Sequence, residues 1–250
     1  MTVAWLGMGL GLARYNRRPW SPALVPGLQP SYVPGVSRSK GLLWQNSAKT
    51  VPAVNAGDPI RVATCPYTGQ DVAAPSDAAR MTLTADSGKF GANGNGSSSV
   101  LLYTFPTFSG PWTVYAAGYL QAVGSGQNWV PLGDDNPVMV TYYGSSPAWF
   151  LENDAAGEVS YGGAMPTGSA VVRVRRDASN NVFVRVNGTE HAFSPATLTG
   201  TFTFNQFGGT RYQSIYSNPA NHTMATLVYN QAVSAANDAL ITSFLQGLVP

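Results

Sequence analysis

The chain has 250 residues, a net charge of +2 and only 10% charged residues, with 27 glycines and 18 prolines. This length allows one large domain or two small ones, and the abundance of turn-forming and β-branched residues favours strands joined by turns over helices. The single cysteine, Cys65, excludes an intrachain disulfide and a cysteine metal cluster, and the two histidines, His191 and His222, exclude a multi-histidine zinc site.

The first twenty residues, MTVAWLGMGLGLARYNRRPW, contain an apolar run from Val3 to Ala13. Its length matches the core of a signal peptide, but the basic residues Arg14, Arg17 and Arg18 follow the run, whereas a signal peptide carries them in front. The run is too short to cross a membrane. We therefore predict no membrane segment and expect this apolar start to be buried against a neighbouring subunit.

Prolines recur at every fourth residue of the next segment, at Pro22, Pro26, Pro30 and Pro34. This density disfavours a helix and weakens sheet pairing, so the segment is predicted to run extended. We predict an extended, proline-rich and basic N-terminal arm over residues 1–40 and a β domain over residues 41–250. The arm residues predicted to touch a partner are Trp5, Leu10, Arg14, Arg17, Arg18 and Trp20.

The charges are distributed unevenly along the chain. Residues 1–57 carry six basic residues and no acidic one, whereas the remainder carries eight basic and twelve acidic residues. A basic segment suits nucleic acid or an acidic protein partner. Because the six charges are widely spread and form no nucleic-acid motif, we predict a protein partner rather than nucleic acid.

From Gly41 onward, short strand-like runs alternate with turn clusters, the pattern of a sandwich or barrel. In SAVVRVRRDASNNVFVRVNGTEHAF, valines alternate with arginines, so one strand face is predicted to meet the core and the other water. Asn187-Gly188 signals a tight turn, because both residues tolerate positive φ. The predicted strands are Leu42–Gln45, Met81–Thr84, Ser99–Tyr103, Trp112–Leu120, Trp129–Leu132, Val138–Tyr143, Ala148–Glu152, Glu158–Tyr161, Ala170–Arg175, Val182–Val186, Glu190–Phe193, Thr201–Phe207 and Met224–Tyr229.

One stretch, VSAANDALITSFLQG, has the pattern of a helix. Ser234 is a candidate N-cap, and Asp238 lies in the first turn, where a negative charge favours the helix. This helix is predicted to pack on the edge of the sandwich through an apolar face formed by Leu240, Ile241, Phe244, Leu245 and Leu248.

Several segments resemble a known family. MATLVYNQAVSAANDALITSFLQGL resembles the closing strand and helix of concanavalin A-like (laminin-G-like) jelly rolls. LLWQNSAKTVPAVNAGDPIRVATCPYTGQDVAAPSDAARMTL resembles the opening segment of many phage-borne and bacterial members, and WTVYAAGYL and VFVRVNGTEHAF are similar to two of their strands. The resemblance covers roughly residues 41–249.

This resemblance implies an all-β fold, a two-sheet antiparallel jelly-roll sandwich with one short C-terminal helix, to which this chain adds its N-terminal arm. The family most often binds carbohydrate or protein, hydrolyses glycans in some branches and is purely structural in phage particles. The fold therefore does not decide the function.

The stretch WFLENDAAGEVSYGG is the candidate for a catalytic site. The hydrolase branch of the family uses E-x-D-x-E or E-x-D-x-x-E, which places its carboxylates on one concave face. Here Glu152, Asp154 and Glu158 have the spacing E-N-D-A-A-G-E, which puts the third carboxylate too late and a turn in between. We predict a hairpin with solvated acids and no enzymatic activity.

Two binding sites are candidates. Asp134, Asp135 and Asn136 place oxygen ligands for Ca²⁺ in one loop, although DDNP is also ordinary turn chemistry. No other cofactor is indicated. An aromatic platform for sugar rings is predicted from Tyr142, Tyr143, Trp149 and Tyr161, the alternative being burial of these residues in the core.

The main functional prediction is a non-enzymatic structural virion protein of a phage, a capsid decoration or tail component. Its arm would anchor it to other virion subunits, and we expect a homo-oligomer. The alternative is a carbohydrate-binding module or adhesin, located at a bacterial cell surface or secreted. The two are compatible, since a decoration protein can also bind host-surface glycans. A glycan hydrolase is the least favoured reading.

Overall fold

The computed structural model describes residues 20–121, 128–134, 139–143, 148–153, 157–163, 166–210 and 215–250, with the side chains of 139–143, 210 and 215 left out. The strands in these ranges are β1 Leu43–Trp44, β2 Pro59–Ile60, β3 Val62–Thr64, β4 Asp71–Ala73, β5 Met81–Asp86, β6 Lys89–Asn93, β7 Leu101–Leu102, β8 Trp112–Leu120, β9 Trp129–Leu132, β10 Met139–Tyr143, β11 Ala148–Asn153, β12 Gly157–Tyr161, β13 Gly168–Arg176, β14 Asn181–Val186, β15 Thr189–Thr197, β16 Gln206–Phe207, β17 Gly209–Thr210, β18 Ile215–Tyr216 and β19 Asn221–Tyr229. The α-helices in these ranges are α1 Pro34–Ser39 and α2 Ala235–Gln246, and short 3-10 helices span Pro22–Leu24 and Asp77–Ala79. None of the helices described in these ranges is long and apolar enough to cross a membrane.

The strands form two antiparallel layers, which confirms the predicted all-β sandwich. The back layer has the order β2-β5-β6-β19-β8-β13-β14-β15, and the front layer combines β12-β11-β10-β9 with β1-β3-β4-β7-β16. Strand β15 belongs to both layers, because it pairs with β14 and, through Ser194, with β12. The two parts of the front layer meet where Gly133 pairs with Gln206.

The main core lies between the layers. Val172 and Val174 of β13 enter it from the back, and Trp149 and Leu151 of β11 enter it from the front. The predicted turn at Asn187-Gly188 is confirmed, with φ angles of 45° and 90°. It sets the register of the β14–β15 hairpin, in which Val186 pairs with Thr189.

A second core covers the outer face of the back layer. Ile241 and Leu245 of α2 are fully buried there with Tyr115 of β8. The helix is confirmed, and Ser234 caps it by accepting a hydrogen bond from the Asn237 amide. It packs on the sheet face rather than on the predicted edge.

Two side chains differ from the predicted pattern around this helix. Leu240 is 45% exposed and lies outside the buried stripe of α2. Arg173, predicted to face water, is buried and pairs with Asp238 of α2. The side chains of β13 therefore alternate between two faces as predicted, but both faces are covered, one by the main core and the other by α2.

The second half of the predicted arm is part of the sandwich. Leu28 and Tyr32 pair with β19, and the Gln29 amide donates to the Val228 carbonyl at 2.8 Å. Val25 and Val33 are buried in the second core. Packing therefore continues across the predicted boundary at residue 40, and residues 20–40 belong to the β domain.

Helix α1 lies in the segment predicted to run extended. It begins at Pro34, the first helical position, where the missing N–H costs nothing and the fixed φ suits the helix. The buried Ser37 hydroxyl donates to the Thr64 carbonyl at 3.0 Å and ties α1 to β3. Regularly spaced prolines thus exclude a helix interior but not a helix start.

Paired substitutions within residues 20–40 test this placement. Val33→Ala is expected to lower the free energy of unfolding by about 2 kcal/mol, because a fully buried side chain loses two methyl groups and leaves a cavity. Leu24→Ala, nine residues earlier and 61% exposed, is expected to change it by less than about 0.5 kcal/mol. Urea denaturation gives both values, and equal small effects would contradict the integration of this segment.

Candidate functional site

Trp149 lies in the core rather than on a sugar-binding platform. It is 1% exposed, and its ring packs edge-on against Trp129 with centroids 5.9 Å apart. Since Leu151 is also buried, the alternation of β11 directs both side chains between the layers. The assignment of Trp149 to an aromatic platform is corrected accordingly.

The other predicted platform residues lie on neighbouring strands. The register places Tyr142 and Tyr161 on either side of Trp149, and Tyr143 opposite Ala148. Tyr161 is half-buried and stacks on His191, with centroids 4.1 Å apart and an angle of 15°. The side chains of Tyr142 and Tyr143 lie outside the described part of the structure.

The predicted calcium loop is described only at Asp134. This residue is buried and accepts a hydrogen bond from the Thr203 hydroxyl at 2.8 Å, whereas Asp135 and Asn136 lie outside the described residues. Across the described ranges, no group of three or more histidine, cysteine, aspartate or glutamate residues could hold a metal ion. Calcium binding stays a prediction.

Trp20 is the one predicted partner-contact residue within the described ranges. It packs against Phe244 of α2, with ring centroids 6.1 Å apart. The remaining members of that set, Trp5, Leu10, Arg14, Arg17 and Arg18, lie outside the described residues.

The front layer directs a different set of side chains outward at the same hairpin. Because Trp149 and Leu151 point into the core, Phe150 and Glu152 lie on the outer face of β11. Phe150 pairs with Ser160 of β12, and Glu152 pairs with Glu158. Phe150 is half-buried and Glu158 is exposed, so this outer face meets solvent. We call these four residues the Phe150 face.

The two glutamates are brought together although six positions separate them in sequence. Residues directly opposite across an antiparallel pair have Cβ atoms about 4.5–5.5 Å apart. Glu158 is exposed on this face, so its carboxyl oxygens are accessible to hydrogen-bond donors such as hydroxyl groups.

The predicted hairpin is confirmed by the pairing of β11 with β12. The alternation of polar and apolar residues in β11 was sufficient to predict the Phe150 face. In AWFLEN, the polar Glu152 belongs outside, so Phe150 shares its face and Trp149 does not. Trp149, the larger aromatic residue and the one predicted for the platform, lies on the opposite, buried face of β11.

The five-stranded part of the front layer has its own row of outward-facing side chains. Opposite pairs place Trp44, Val62 and Ala73 side by side on the face opposite to the core residues Leu43, Ala63 and Val72. Leu102 pairs with Ala73 at the end of this row and packs against the main core. Residues 51–53 add to the free side of β1, where Pro52 bridges to Trp44.

A polar cluster flanks this row. Asp71 pairs with Lys49 and accepts a hydrogen bond from the Thr64 hydroxyl at 2.6 Å. Burial acts to raise the pKa of the Asp71 carboxyl, but the hydrogen bonds from Lys49 and Thr64, together with the Lys49 charge, outweigh it and lower that pKa. Asp71 is therefore a carboxylate near neutral pH.

The two outer faces of the sandwich are not equivalent. Helix α2 and residues 25–33 supply the second core, which covers the outer face of the back layer. The Phe150 face lies on the opposite side of the main core, on the front layer. On the Phe150 face, Glu158 is exposed to solvent.

No protein-family model and no curated protein matches the sequence. Among solved structures, the chain is similar to Trypanosoma rangeli sialidase in complex with sialic acid, with 14% identity over 84% of this chain and a TM-score of 0.50. Lower TM-scores relate it to the binding domain of Paraclostridial Mosquitocidal Protein 1 (0.47; 6% identity; 65% of this chain and 45% of that chain) and to the CBM40 of a Ruminococcus gnavus sialidase bound to α2,3-sialyllactose (0.38; 15% identity; 53% and 82%). The chain spans only 37% of the trypanosomal sialidase, and the likeness extends to the fold alone.

Proposed function

We propose that this protein is a non-catalytic, lectin-like carbohydrate-binding domain whose ligand lies across the Phe150 face. The observation that supports the proposal is the arrangement of an aromatic ring, a hydroxyl and two carboxylates on one open sheet face. A carbohydrate-binding module is the alternative predicted from the sequence, and the residues proposed here for the site differ from the predicted platform.

Each member of the Phe150 face has a role that suits a sugar. The apolar C–H face of a pyranose packs against an aromatic ring, which contributes contact area with few rotatable bonds. Glu152 and Glu158 supply oxygen acceptors for hydrogen bonds from sugar hydroxyls. Because β11 and β12 are paired over five residues, these groups are held at fixed positions.

The similar sialidase supports the proposal only at the level of scaffold, because its structure is a complex with sialic acid and the shared feature is the β fold. The predicted virion role, the anchoring arm, the homo-oligomer and the location at a virion or cell surface rest on the sequence alone. They stay predictions beside the glycan-binding proposal.

A glycan array with purified protein tests the proposal. We expect at least one oligosaccharide to bind, and Phe150→Ala to weaken that binding by about tenfold or more, since truncating a central aromatic contact costs at least about 1.4 kcal/mol. The matched control is Leu240→Ala, an exposed apolar residue on α2 behind the back layer, which is expected to leave binding unchanged. A blank array, or equal binding by both variants, would contradict the proposed site.

A further inference from the structure

A groove separate from the Phe150 face lies between α1, the turn from β5 to β6 and the end of α2. It has a volume of about 310 Å³, and its lining includes Arg38, Lys89, Phe90 and Gly247. We propose that this groove binds an oxyanion group, a carboxylate, sulfate or phosphate carried by a ligand. The inference is independent of the glycan-binding proposal, because it uses none of the same residues.

Arg38 supplies a fixed guanidinium to the groove. Its carbon Cζ lies 3.8 Å from the centroid of the Phe90 ring, and its Nε donates to the Val54 carbonyl. Stacking on an aromatic ring holds the planar fork in one orientation, with two terminal nitrogens still able to donate. This is the geometry in which arginine binds oxyanions with two parallel hydrogen bonds.

Lys89 supplies the second positive charge. Its ammonium donates to the Gly247 carbonyl at 2.8 Å, next to the end of α2. An ammonium has three donor hydrogens, so this bond positions the group and leaves capacity for a ligand. The side chain is tied to the helix end and faces the same groove as Arg38.

The carboxylates nearest along these segments are engaged elsewhere. Asp58 accepts hydrogen bonds from the Val54 and Asn55 amides, and Asp86 pairs with His222. The groove lining contains two cations and no acidic residue, and neither cation belongs to an ion pair within the described part of the chain. Two positive charges that line one groove, with no counter-ion among the described residues, favour an anionic ligand.

Amide chemical-shift titration of the full-length protein at constant ionic strength tests the inference. Sodium phosphate, sodium sulfate and sodium glucuronate are the three probes, and glucose is the neutral control. We expect at least one anion to give saturable shifts at Gly35, Gly88 and Gly247, which line the groove, while glucose gives none. The probe that saturates identifies which oxyanion the groove accepts.

Lys89→Gln removes one charge without altering a buried contact, and it is expected to weaken the apparent affinity by about tenfold. Lys49→Gln removes the same charge at the Asp71 cluster and should leave the affinity unchanged. Phe150→Ala should also leave it unchanged, so failure of this proposal is distinguishable from failure of the glycan site. Shifts that rise linearly with every salt, or that saturate in Lys89→Gln with the wild-type affinity, would overturn the inference.

Discussion

Replacing Asp238 with asparagine is expected to lower the free energy of unfolding by about 3–5 kcal/mol. The carboxylate is buried between α2 and the back layer, where it accepts charged hydrogen bonds from Arg185 and Arg173 at 2.6 and 2.9 Å. The Tyr115 hydroxyl also donates to it at 2.6 Å. Removing this one charge takes the carboxylate partner from the Arg185 guanidinium and leaves Arg173 paired with Glu190 alone, which is the costly way to break a buried network.

The matched control is Asp77→Asn, which removes a carboxylate paired with Arg61 on the surface. Asp77 has a side chain 74% exposed, so the expected loss is below about 1 kcal/mol. Urea denaturation at neutral pH compares the two variants. A similar small loss in both would show that the Asp238 network contributes little to stability.

Acid pH should reduce the difference between wild type and Asp238→Asn. Burial acts to raise the pKa of Asp238, but the hydrogen bonds from Tyr115 and Arg185 and the charge of Arg173 outweigh it, so that pKa lies below its usual value. A carboxyl with a lowered folded-state pKa stabilises the fold above its unfolded-state pKa of about 3.9 and loses that contribution as the pH falls through the folded-state value. Denaturation midpoints measured from pH 7 to pH 2 should converge only at the acid end.

Trp149→Ala is expected to cost about 3–5 kcal/mol, because the indole is fully buried and its removal leaves a large cavity beside Trp129. The next residue supplies the comparison. Phe150→Ala is expected to cost only about 1 kcal/mol, since its ring is half-buried on the outer face. Thermal and urea denaturation of the two variants gives both numbers.

Adjacent aromatic residues thus test which side of β11 meets the core. Comparable losses, or a larger loss for Phe150→Ala, would contradict the assigned alternation. The comparison also helps to interpret the glycan array. Weaker glycan binding by Trp149→Ala would reflect damage to the core rather than a lost sugar contact.

The sequence predicted the architecture where the signal is local. Trp112–Leu120 and Trp129–Leu132 match β8 and β9 at both ends, and the Asn187-Gly188 turn and α2 are in place. In each case, alternation, turn chemistry or a helical stripe lies within about twenty residues. Short strands such as β2 and β4, with two and three residues, carry too little pattern to be recognised.

Long-range packing explains the remaining differences. Nothing in the spacing of prolines shows that residues 28–32 pair with a strand about 200 positions later. The burial of Arg173 likewise depends on Asp238, which lies on an element distant in sequence. The Phe150 face could have been predicted from the sequence, because the alternation in AWFLEN places Phe150 and Trp149 on opposite faces of the strand. The predicted hairpin is also sufficient to bring Glu158 opposite Glu152.

Residues 52–55 lie beside β1 and determine whether a strand of another copy of this chain can pair with that edge of the sheet. Pro52 has no amide hydrogen, and the Ala53 amide is used internally to reach Leu43. The amides of Val54 and Asn55 are both taken by the Asp58 carboxylate, at 2.8 Å each. An incoming strand would find no free donor along this stretch, so a sheet-rich surface with few charges is protected there against edge-to-edge aggregation.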